Sequence, residues 1–257
     1  MKIIHISDIH CTKGLDFHEK IFDKAVTLVN RIDADFVFVT GDLTTEGLLS
    51  EYELAQQQLG RIRHKKFIVP GNHDERNLGY KLFPKFFGET DFIHSQDNIV
   101  LIGLASSEPD KDTGRLGYNR HKIIEQGLHK NKLTIIGFHH HVIPVPNSGR
   151  ETNIIDDAGE TLDILLRQEV PLVLMGHRHV PWGVKIHKTL LVNAGTFSCT
   201  RTRAYFGNTF NIIDITDDMI SIYVVDITND TTKKMIEFKF SDGCCTNKYY
   251  DTGGTWL

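Results

Sequence analysis

The first half of the chain alternates short runs of β-branched residues with segments of helical periodicity. These runs predict, in order, a strand at residues 2–6, a helix at 17–32, a strand at 35–39, a helix at 48–63 and a strand at 66–69. In the first predicted helix the apolar residues recur with a period of about 3.6 and form one face. Ser50 and Glu53 have the spacing of a capping box and predict the start of the second helix. This βαβ rhythm predicts helices that pack on a sheet.

The alternation continues to about residue 179, and then the pattern changes. The later predictions are strands at 99–104, 133–138 and 172–175, helices at 118–130 and 160–168, and short strands at 184–186, 190–192, 210–215, 220–225 and 235–240. The last five strands are joined by turns without a long helix, which predicts an antiparallel second sheet. The expected architecture is an α/β fold of two sheets face to face with helices outside.

Length and composition favour a single domain. At 257 residues and 29.3 kDa, the chain can bury a large core without disulfides, and we expect one domain over residues 1–240. Residues 241–257 form a polar, glycine-bearing tail that would either dock a second copy or fray. The net charge of −4 disfavours extended contact with a nucleic-acid polymer.

The expected location is the cytoplasm. No apolar run approaches the roughly 18 residues of a membrane helix, so no membrane association is expected. Asp8 and His10 interrupt the amino-terminal apolar run too early for a secretory signal. The four cysteines lack zinc or redox spacing, which favours a reducing compartment.

Five apolar runs are followed directly by residues that can bind metal ions. The five blocks are Ser7-Asp8-Ile9-His10, Gly41-Asp42, Gly71-Asn72-His73-Asp74, His139-His140-His141 and Gly176-His177-Arg178-His179. Carboxylate, amide and imidazole groups bind Mn, Fe or Zn, and no thiolate is among them. A single block of this kind is usually a turn, but five blocks in order predict a two-metal hydrolytic centre, because loops at the carboxyl ends of strands converge at one edge.

The five blocks resemble, in order, the signature of the calcineurin-like metallophosphoesterase superfamily: Asp-x-His, Gly-Asp, Gly-Asn-His-Asp or Glu, His, and Gly-His-x-His. The resemblance runs from Asp8 to His179 and is closest to the small phosphodiesterases of the cyclic-nucleotide and glycerophosphodiester type. It implies a four-layer αββα sandwich of two mixed β-sheets and a dinuclear centre. The implied cofactors are two divalent or mixed-valence ions of Mn, Fe or Zn.

The resemblance also assigns the ligands. One ion would be held by Asp8, His10, Asp42 and His179, and the other by Asp42, Asn72, His139 and His177. Asp42 would bridge the two ions, whose mutual repulsion requires shared negative charge. The implied reaction is in-line attack on phosphorus by metal-bound hydroxide.

Four further residues receive roles from the resemblance or from their place in the chain. His73 would protonate the leaving oxygen or stabilise the transition state, and Asp74 would orient it. Arg76 lies close enough in sequence to meet a phosphate, although it is equally compatible with a solvated surface position. The block at His139 departs from the family's His-His-Pro, with His139 aligned to the family ligand and His140 expected to support the site or contact substrate.

The leading functional interpretation is hydrolysis of a small phosphodiester, either a cyclic nucleotide or a glycerophosphodiester. A phosphomonoesterase is the alternative, including a phosphoprotein phosphatase, whose Gly-Asp-x-Val-Asp-Arg-Gly block differs from residues 41–47 here. A nuclease would need a basic surface, and a non-catalytic metal-binding scaffold would be expected to have lost ligands. The expected partner is a small anionic phosphoester, and a homodimer is compatible with the resemblance. The loops that would choose the substrate carry no motif.

Overall fold

The computed structural model describes residues 1–128, 132–149, 153–239 and 245–247. Within these ranges the elements are, in chain order, β1 (Lys2–Ile6), α1 (Glu19–Arg31), β2 (Phe36–Thr40), α2 (Leu49–Gly60), β3 (Lys66–Val69), α3 (Gly79–Phe87), β4 (Phe92–Gln96), β5 (Ile99–Gly103), α4 (Gly117–Gly127), β6 (Leu133–Gly137), α5 (Ala158–Arg167), β7 (Leu172–Met175), β8 (Trp182–Ile186), β9 (Thr189–Asn193), β10 (Thr209–Ile215), β11 (Met219–Asp226), β12 (Thr231–Lys239) and β13 (Cys245–Asn247). None of the helices in these ranges combines the length and apolar character needed to cross a bilayer.

The strands form two mixed sheets. The first has the order β13-β12-β11-β10-β1-β2-β3, and the second has the order β4-β5-β6-β7-β9-β8. In the first sheet β1, β2 and β3 run parallel, and β10 joins β1 antiparallel with Lys2 opposite Asp214. In the second sheet β5, β6, β7 and β9 run parallel between two antiparallel edge strands. The parallel strands of each sheet therefore present their carboxyl ends at a common edge.

Three apolar cores separate the four layers. The inner faces of the sheets meet around Phe38, Leu101 and Leu174. Helices α1 and α2 cover the outer face of the first sheet through Phe22 and Tyr52, while α4 and α5 cover the outer face of the second sheet. Burial of these faces from water is the main force that holds the layers together. The predicted αββα sandwich of two mixed sheets is confirmed.

The prediction that the strands after residue 179 form their own antiparallel sheet was wrong. The hairpin of β8 and β9 completes the second sheet, whereas β10, β11 and β12 extend the first sheet. All five residues of β9 are buried, which suits its interior place beside the parallel strand β7. Local patterning identified these strands correctly but carried no information about their distant partners.

Two elements between β3 and β5 were not predicted. Helix α3 contains Pro84, which removes a backbone donor and interrupts the helical pattern, yet Phe83 is fully buried and anchors the helix to the first core. Strand β4 pairs antiparallel with β5 and places Phe92 opposite Gly103. Its first four residues alternate between half-buried and exposed, which is typical of an edge strand.

The predicted capping box at Ser50 and Glu53 was also wrong. Helix α2 begins after Leu48, and the side chain of Glu51 accepts hydrogen bonds from the backbone N–H groups of Glu46 at 2.7 Å and Leu48 at 3.4 Å. The cap lies two residues earlier than predicted, because Glu51, rather than Glu53, accepts the hydrogen bonds of the chain that enters the helix. Strand β13 pairs with β12, and the rest of the predicted tail at 241–257 lies outside the described residues.

Candidate metal centre

Five strands deliver the predicted metal-ligand blocks to one edge of the sandwich. Asp8 follows β1, Asp42 follows β2 and Asn72 follows β3 in the first sheet. His139 follows β6 and His177 follows β7 in the second sheet. Because these strands are parallel within each sheet and the two sheets face one another, loops from both sheets meet at the same edge.

The backbone of these loops is strained where the metal-ligand residues stand. Five non-glycine residues of the blocks have positive φ angles: Asp8 at 55°, His10 at 55°, Asp42 at 53°, His177 at 71° and His179 at 56°. The left-handed region costs L-residues on the order of 1 kcal/mol or more each, and such residues cluster at functional sites. The left-handed backbone conformation directs the five side chains toward the centre. A function of the site therefore outweighs the local backbone preference of these residues.

The first predicted ligand set is assembled around Asp8. Nε2 of His179 lies 3.2 Å from Oδ1 of Asp8, and Nε2 of His10 lies 4.0 Å from the same oxygen. Nε2 of His10 also lies 3.5 Å from Oδ2 of Asp42. Oδ1 of Asp8 and Nε2 of His10 are buried and find no hydrogen-bond partner within the described part of the chain.

The second predicted set shares Asp42 with the first. Nε2 of His139 lies 3.3 Å from Oδ2 of Asp42 and 3.2 Å from Oδ1 of Asn72. Nδ1 of His177 lies 3.0 Å from Oδ1 of Asn72 and 3.3 Å from Nε2 of His139. A single carboxylate oxygen, Oδ2 of Asp42, therefore faces both sets.

This donor set fits two divalent ions. Oδ1 of Asp8 and Nε2 of His10 are buried at the centre without hydrogen-bond partners among the described residues, an arrangement that is costly unless a cation lies between such ligands. His10, Asp42 and His73 form one such group, and Asp42, His139 and His177 form another, with the ligand atoms of each group within 4.8 Å of one another. Carboxylate, amide and imidazole ligands suit Mn, Fe or Zn.

Hydrogen bonds behind the ligands fix the tautomers of two histidines. Nδ1 of His139 donates to the backbone oxygen of Thr40 at 2.6 Å, and Nδ1 of His179 donates to that of Arg201 at 2.6 Å. With the proton held at Nδ1, the Nε2 lone pair of each ring is directed to the centre, as metal binding requires. Thr40 and Arg201 therefore hold the two rings in orientation.

Charge and burial act against one another in the centre. In the metal-free protein burial disfavours a charge on His139, but the Asp42 carboxylate outweighs it and raises the pKa of His139 to about 9, so that Nε2 carries a proton that a bound cation would displace. Burial likewise acts to raise the pKa of Asp42, but the positive charge of His139 prevails and holds this pKa well below its usual range. Burial lowers the pKa of His10 and His177 well below the ordinary value, so that both rings are neutral and able to bind a cation.

Asp74 has a different role from the one predicted. Its carboxylate accepts backbone hydrogen bonds from Leu43, Thr44 and Gly71 at 2.8 to 2.9 Å and does not orient the ring of His73. Nδ1 of His73 instead donates to the backbone oxygen of Thr45 at 2.6 Å. The expected contact between Asp74 and the His73 ring is replaced because Asp74, fully buried, ties together the two loops that carry Asp42 and Asn72. Burial, followed by the charge of Asp42, raises the pKa of Asp74 to about 7.

His140 lies beside the centre and is buried. Its Nδ1 atom is 2.9 Å from Oγ of Ser106, and its ring centroid is 4.6 Å from that of His177. The ring of His141 stacks on His177 at 5.8 Å. Nε2 of His140 is buried without a hydrogen-bond partner among the described residues. His140 is thus placed to contact a ligand of the centre, while its contact with substrate stays a prediction.

Arg76 lies at the rim, where its side chain is 25 % exposed. Its guanidinium pairs with Glu46 at 3.0 Å and with Asp112 at 2.9 Å. The same oxygen of Asp112 accepts from Nδ2 of Asn72 at 3.3 Å, so this loop reaches the centre. Contact of Arg76 with a phosphate also stays a prediction.

Two residues near the centre were missed from the sequence. The sulfur of Cys199 lies within 4.8 Å of the ligand atoms of His10 and His179, and Nη2 of Arg201 lies 3.3 Å from Nδ1 of His10. Both follow β9 in a segment without a metal-ligand motif. The available signal was its position, since residues 193–196 end an apolar strand beside the strand that carries His177.

Comparisons with known proteins agree with this geometry. The family model described as calcineurin-like phosphoesterase matches residues 1–181. A probable cyclic nucleotide phosphodiesterase from Vesicomyosocius okutanii is 27 % identical over 217 residues, covering 79 % of this chain and 85 % of the relative. A probable glycerophosphodiester phosphodiesterase from Arcobacter nitrofigilis is 27 % identical over 201 residues, covering 70 % and 72 %. A dimetal phosphatase from Danio rerio shares the fold with a TM-score of 0.70 at 12 % identity, covering 91 % and 98 %.

Proposed function

The chain belongs to the calcineurin-like phosphoesterase family, and from this premise we propose that it hydrolyses a small phosphodiester of the cyclic-nucleotide or glycerophosphodiester type. The chain is a metallophosphoesterase, a hydrolase of phosphoric esters that uses divalent metal ions. The diester preference is supported by the names of two relatives, each of which aligns with more than two thirds of this chain.

One observation carries the proposal: Oδ2 of Asp42 lies within 3.5 Å of ligand nitrogens from both sets. We assign Asp8, His10, Asp42 and His179 to one ion and Asp42, Asn72, His139 and His177 to the other. The donor atoms favour Mn, Fe or Zn. When bound, such ions supply Lewis acidity, which neutralises phosphoryl charge and makes water more acidic.

The protein contributes orientation and proton control. Asp42 is fixed by its second oxygen, Oδ1, which accepts from the backbone N–H of His73 at 2.9 Å. The ring of His73 packs edge-on against that of His10 with centroids 4.6 Å apart, and its Nδ1 proton is held by Thr45. Because Nδ1 is bound to Thr45, only Nε2 of His73 can face the substrate, and we assign to this atom, when the ring is protonated on both nitrogens, the proton that an alkoxide leaving group requires.

We assign substrate contact to His140, whose Nδ1 lies 2.9 Å from Oγ of Ser106, and to Arg76, which lies at the rim where it pairs with Glu46 and Asp112. We further propose that residues 1–240 form a single metallophosphoesterase domain, that the protein acts in the cytoplasm, and that it forms a homodimer. Sedimentation of the purified chain tests the last of these, with a mass of two chains as the expected result.

The function is tested with metal-stripped protein to which Mn²⁺ is returned. Hydrolysis of an aryl phosphodiester is compared with that of the matched monoester, with Asp42→Asn as the control for contaminating activity. We expect hydrolysis that needs both the metal and Asp42 and that favours the diester. A preference for the monoester would replace the proposal with a phosphomonoesterase, and inactivity with Mn²⁺, Fe²⁺ and Zn²⁺ would favour a scaffold.

A further inference from the structure

Arg201 lies beyond the residues that the family model matches, yet its side chain reaches the centre. Its Nη2 atom is 3.3 Å from Nδ1 of His10. Its backbone oxygen accepts the hydrogen bond of His179 at 2.6 Å. Its side chain is 46 % exposed, so the arginine extends from solvent to a fully buried ligand histidine. The position of Arg201 is thus fixed by one ligand histidine while its guanidinium faces another.

The guanidinium is held less firmly than the backbone that carries it. Its ion pair with Asp16 is long, at 3.5 Å between Nε and Oδ1, and half exposed, and such pairs contribute little. The group also contacts the sulfur of Cys199, a weak acceptor. A guanidinium carries five N–H donors in a planar fork. These contacts leave it able to turn toward a stronger acceptor.

The contact with His10 differs from the contacts of the other two ligand histidines described above. Nδ1 of His139 and Nδ1 of His179 each donate to a backbone oxygen, whereas Nδ1 of His10 accepts from Arg201. A neutral imidazole has one N–H group and one lone pair. If Nε2 of His10 gives its lone pair to a metal, Nδ1 carries the proton and can no longer accept. Two donors would then face each other at this position, which favours rotation of the guanidinium away from His10.

We propose that Arg201 binds the non-bridging phosphoryl oxygens of the substrate. This inference rests on the proposed phosphoesterase function. A guanidinium matches two phosphoryl oxygens in a bidentate, charge-assisted geometry. The segment that carries Arg201 lies next to the ligands His10 and His179, so the fork is within reach of an anion at the centre. Arg201 is a substrate-binding residue contributed by the last third of the chain.

The test measures binding of inorganic phosphate by calorimetry to the Mn²⁺-loaded protein. The variants are Arg201→Ala, Arg201→Lys and the control Arg167→Ala, which removes an exposed arginine that pairs with Asp163 on α5. We expect phosphate to bind Arg201→Ala roughly 10- to 100-fold more weakly, the range for charge-assisted hydrogen bonds. The phosphate affinity of Arg201→Lys should lie between those of Arg201→Ala and the wild type, and that of the control Arg167→Ala should match the wild type. In Arg201→Ala, KM for the ester should rise by a larger factor than kcat falls.

Metal content by elemental analysis separates binding from structure. Wild-type phosphate affinity in Arg201→Ala at full metal content would overturn the inference. Parallel loss of metal and phosphate from both Arg201 variants would also overturn it, in favour of a structural role. If the wild type binds phosphate but hydrolyses no ester, the proposed function fails, whereas a weaker phosphate affinity of Arg201→Ala would still support the arginine site.

Discussion

Oδ2 of Asp42 lies 3.3 Å from Nε2 of His139 at a position where both side chains are shielded from solvent. The two residues come from different sheets, Asp42 from the loop after β2 and His139 from the loop after β6. Their contact joins the two halves of the sandwich at the catalytic edge. The same carboxylate oxygen faces His10 of the other ligand set, so a change at Asp42 affects both ions at once.

We predict that Asp42→Asn abolishes tight binding of at least one ion and lowers ester hydrolysis at least about 100-fold, since even supporting residues around a metal site contribute 10- to 100-fold. Asparagine keeps the shape of the side chain but not the charge that offsets two dications. Elemental analysis after dialysis gives the metal content. Asp163→Asn is the control, because Asp163 is 61 % exposed in a surface ion pair. Asp42→Asn protein with two bound ions would contradict the assignment.

Removal of metal should lower thermal stability. Oδ1 of Asp8 and Nε2 of His10 lack partners among the described residues when no cation is bound, and an ion that binds only the folded state stabilises it by mass action. At 100 times its Kd an ion adds about 2.7 kcal/mol, which for a chain of this size raises Tm by about 5 to 10 °C. Calorimetric scans with and without Mn²⁺ measure the difference. An equal Tm under both conditions would argue against a metal site.

Asp74→Ala should destabilise the fold as well as the centre. Asp74 accepts hydrogen bonds from the backbone of Leu43, Thr44 and Gly71 and from the hydroxyl of Thr44 at 2.9 Å. Loss of the carboxylate leaves buried donors unpaired, so we expect a loss of about 3 kcal/mol in the free energy of unfolding. Thr44→Val removes only one donor and should cost about 1 kcal/mol. Urea denaturation compares them, and equal losses would refute this role.

Gly71→Ala should displace Asp42. A methyl group at Gly71 would overlap Oδ1 and the backbone nitrogen of Asp42. Neither atom lies at the far end of a long, flexible side chain that could move aside. We therefore expect reduced metal content and at least about 10-fold lower activity. Gly159→Ala is the matched control, since no atom lies within 4 Å of its added Cβ. Full metal content in Gly71→Ala would contradict this account.

Much of this centre could be predicted from the sequence, because each ligand directly follows a strand. Parallel strands align their carboxyl ends, so position along the chain translates into position at one edge. Asp8, Asn72 and His177 were predicted to converge on this basis, and the structure brings them together with the other predicted ligands.

The parts that escaped prediction depend on contacts between distant segments. Strand β10 pairs with β1, and the Asp214 that faces Lys2 is far away in sequence. The position of Arg201 depends on this pairing, since the segment that carries it connects β9 in the second sheet to β10 in the first sheet. The ring of His73 is oriented by the backbone oxygen of Thr45. Every residue has a backbone oxygen, so the sequence gives no indication of this contact.

His5 offers a pH-dependent test of the buried strand directly behind the ligands. It is fully buried in β1, where Nε2 donates to Oγ1 of Thr40 at 3.0 Å and Nδ1 accepts from Nδ2 of Asn211 at 3.4 Å. Both ring nitrogens are therefore matched to the neutral form. Burial lowers the pKa of His5 to about 3, although the charge of Asp8 partly opposes it.

We predict that His5 makes the folded state less stable in acid. Because its pKa is lowered on folding, its contribution is complete above about pH 6.5, the pKa of the unfolded state, and is lost as pH falls toward about 3. Across that window the free energy of unfolding should fall by about 1.4 kcal/mol per pH unit from this group alone. His5→Gln retains hydrogen-bonding capacity without the titration, so its stability should decline less steeply in acid by that amount. Urea denaturation of metal-stripped wild type and variant at several pH values measures both slopes, and parallel slopes would show that His5 is not the group that titrates.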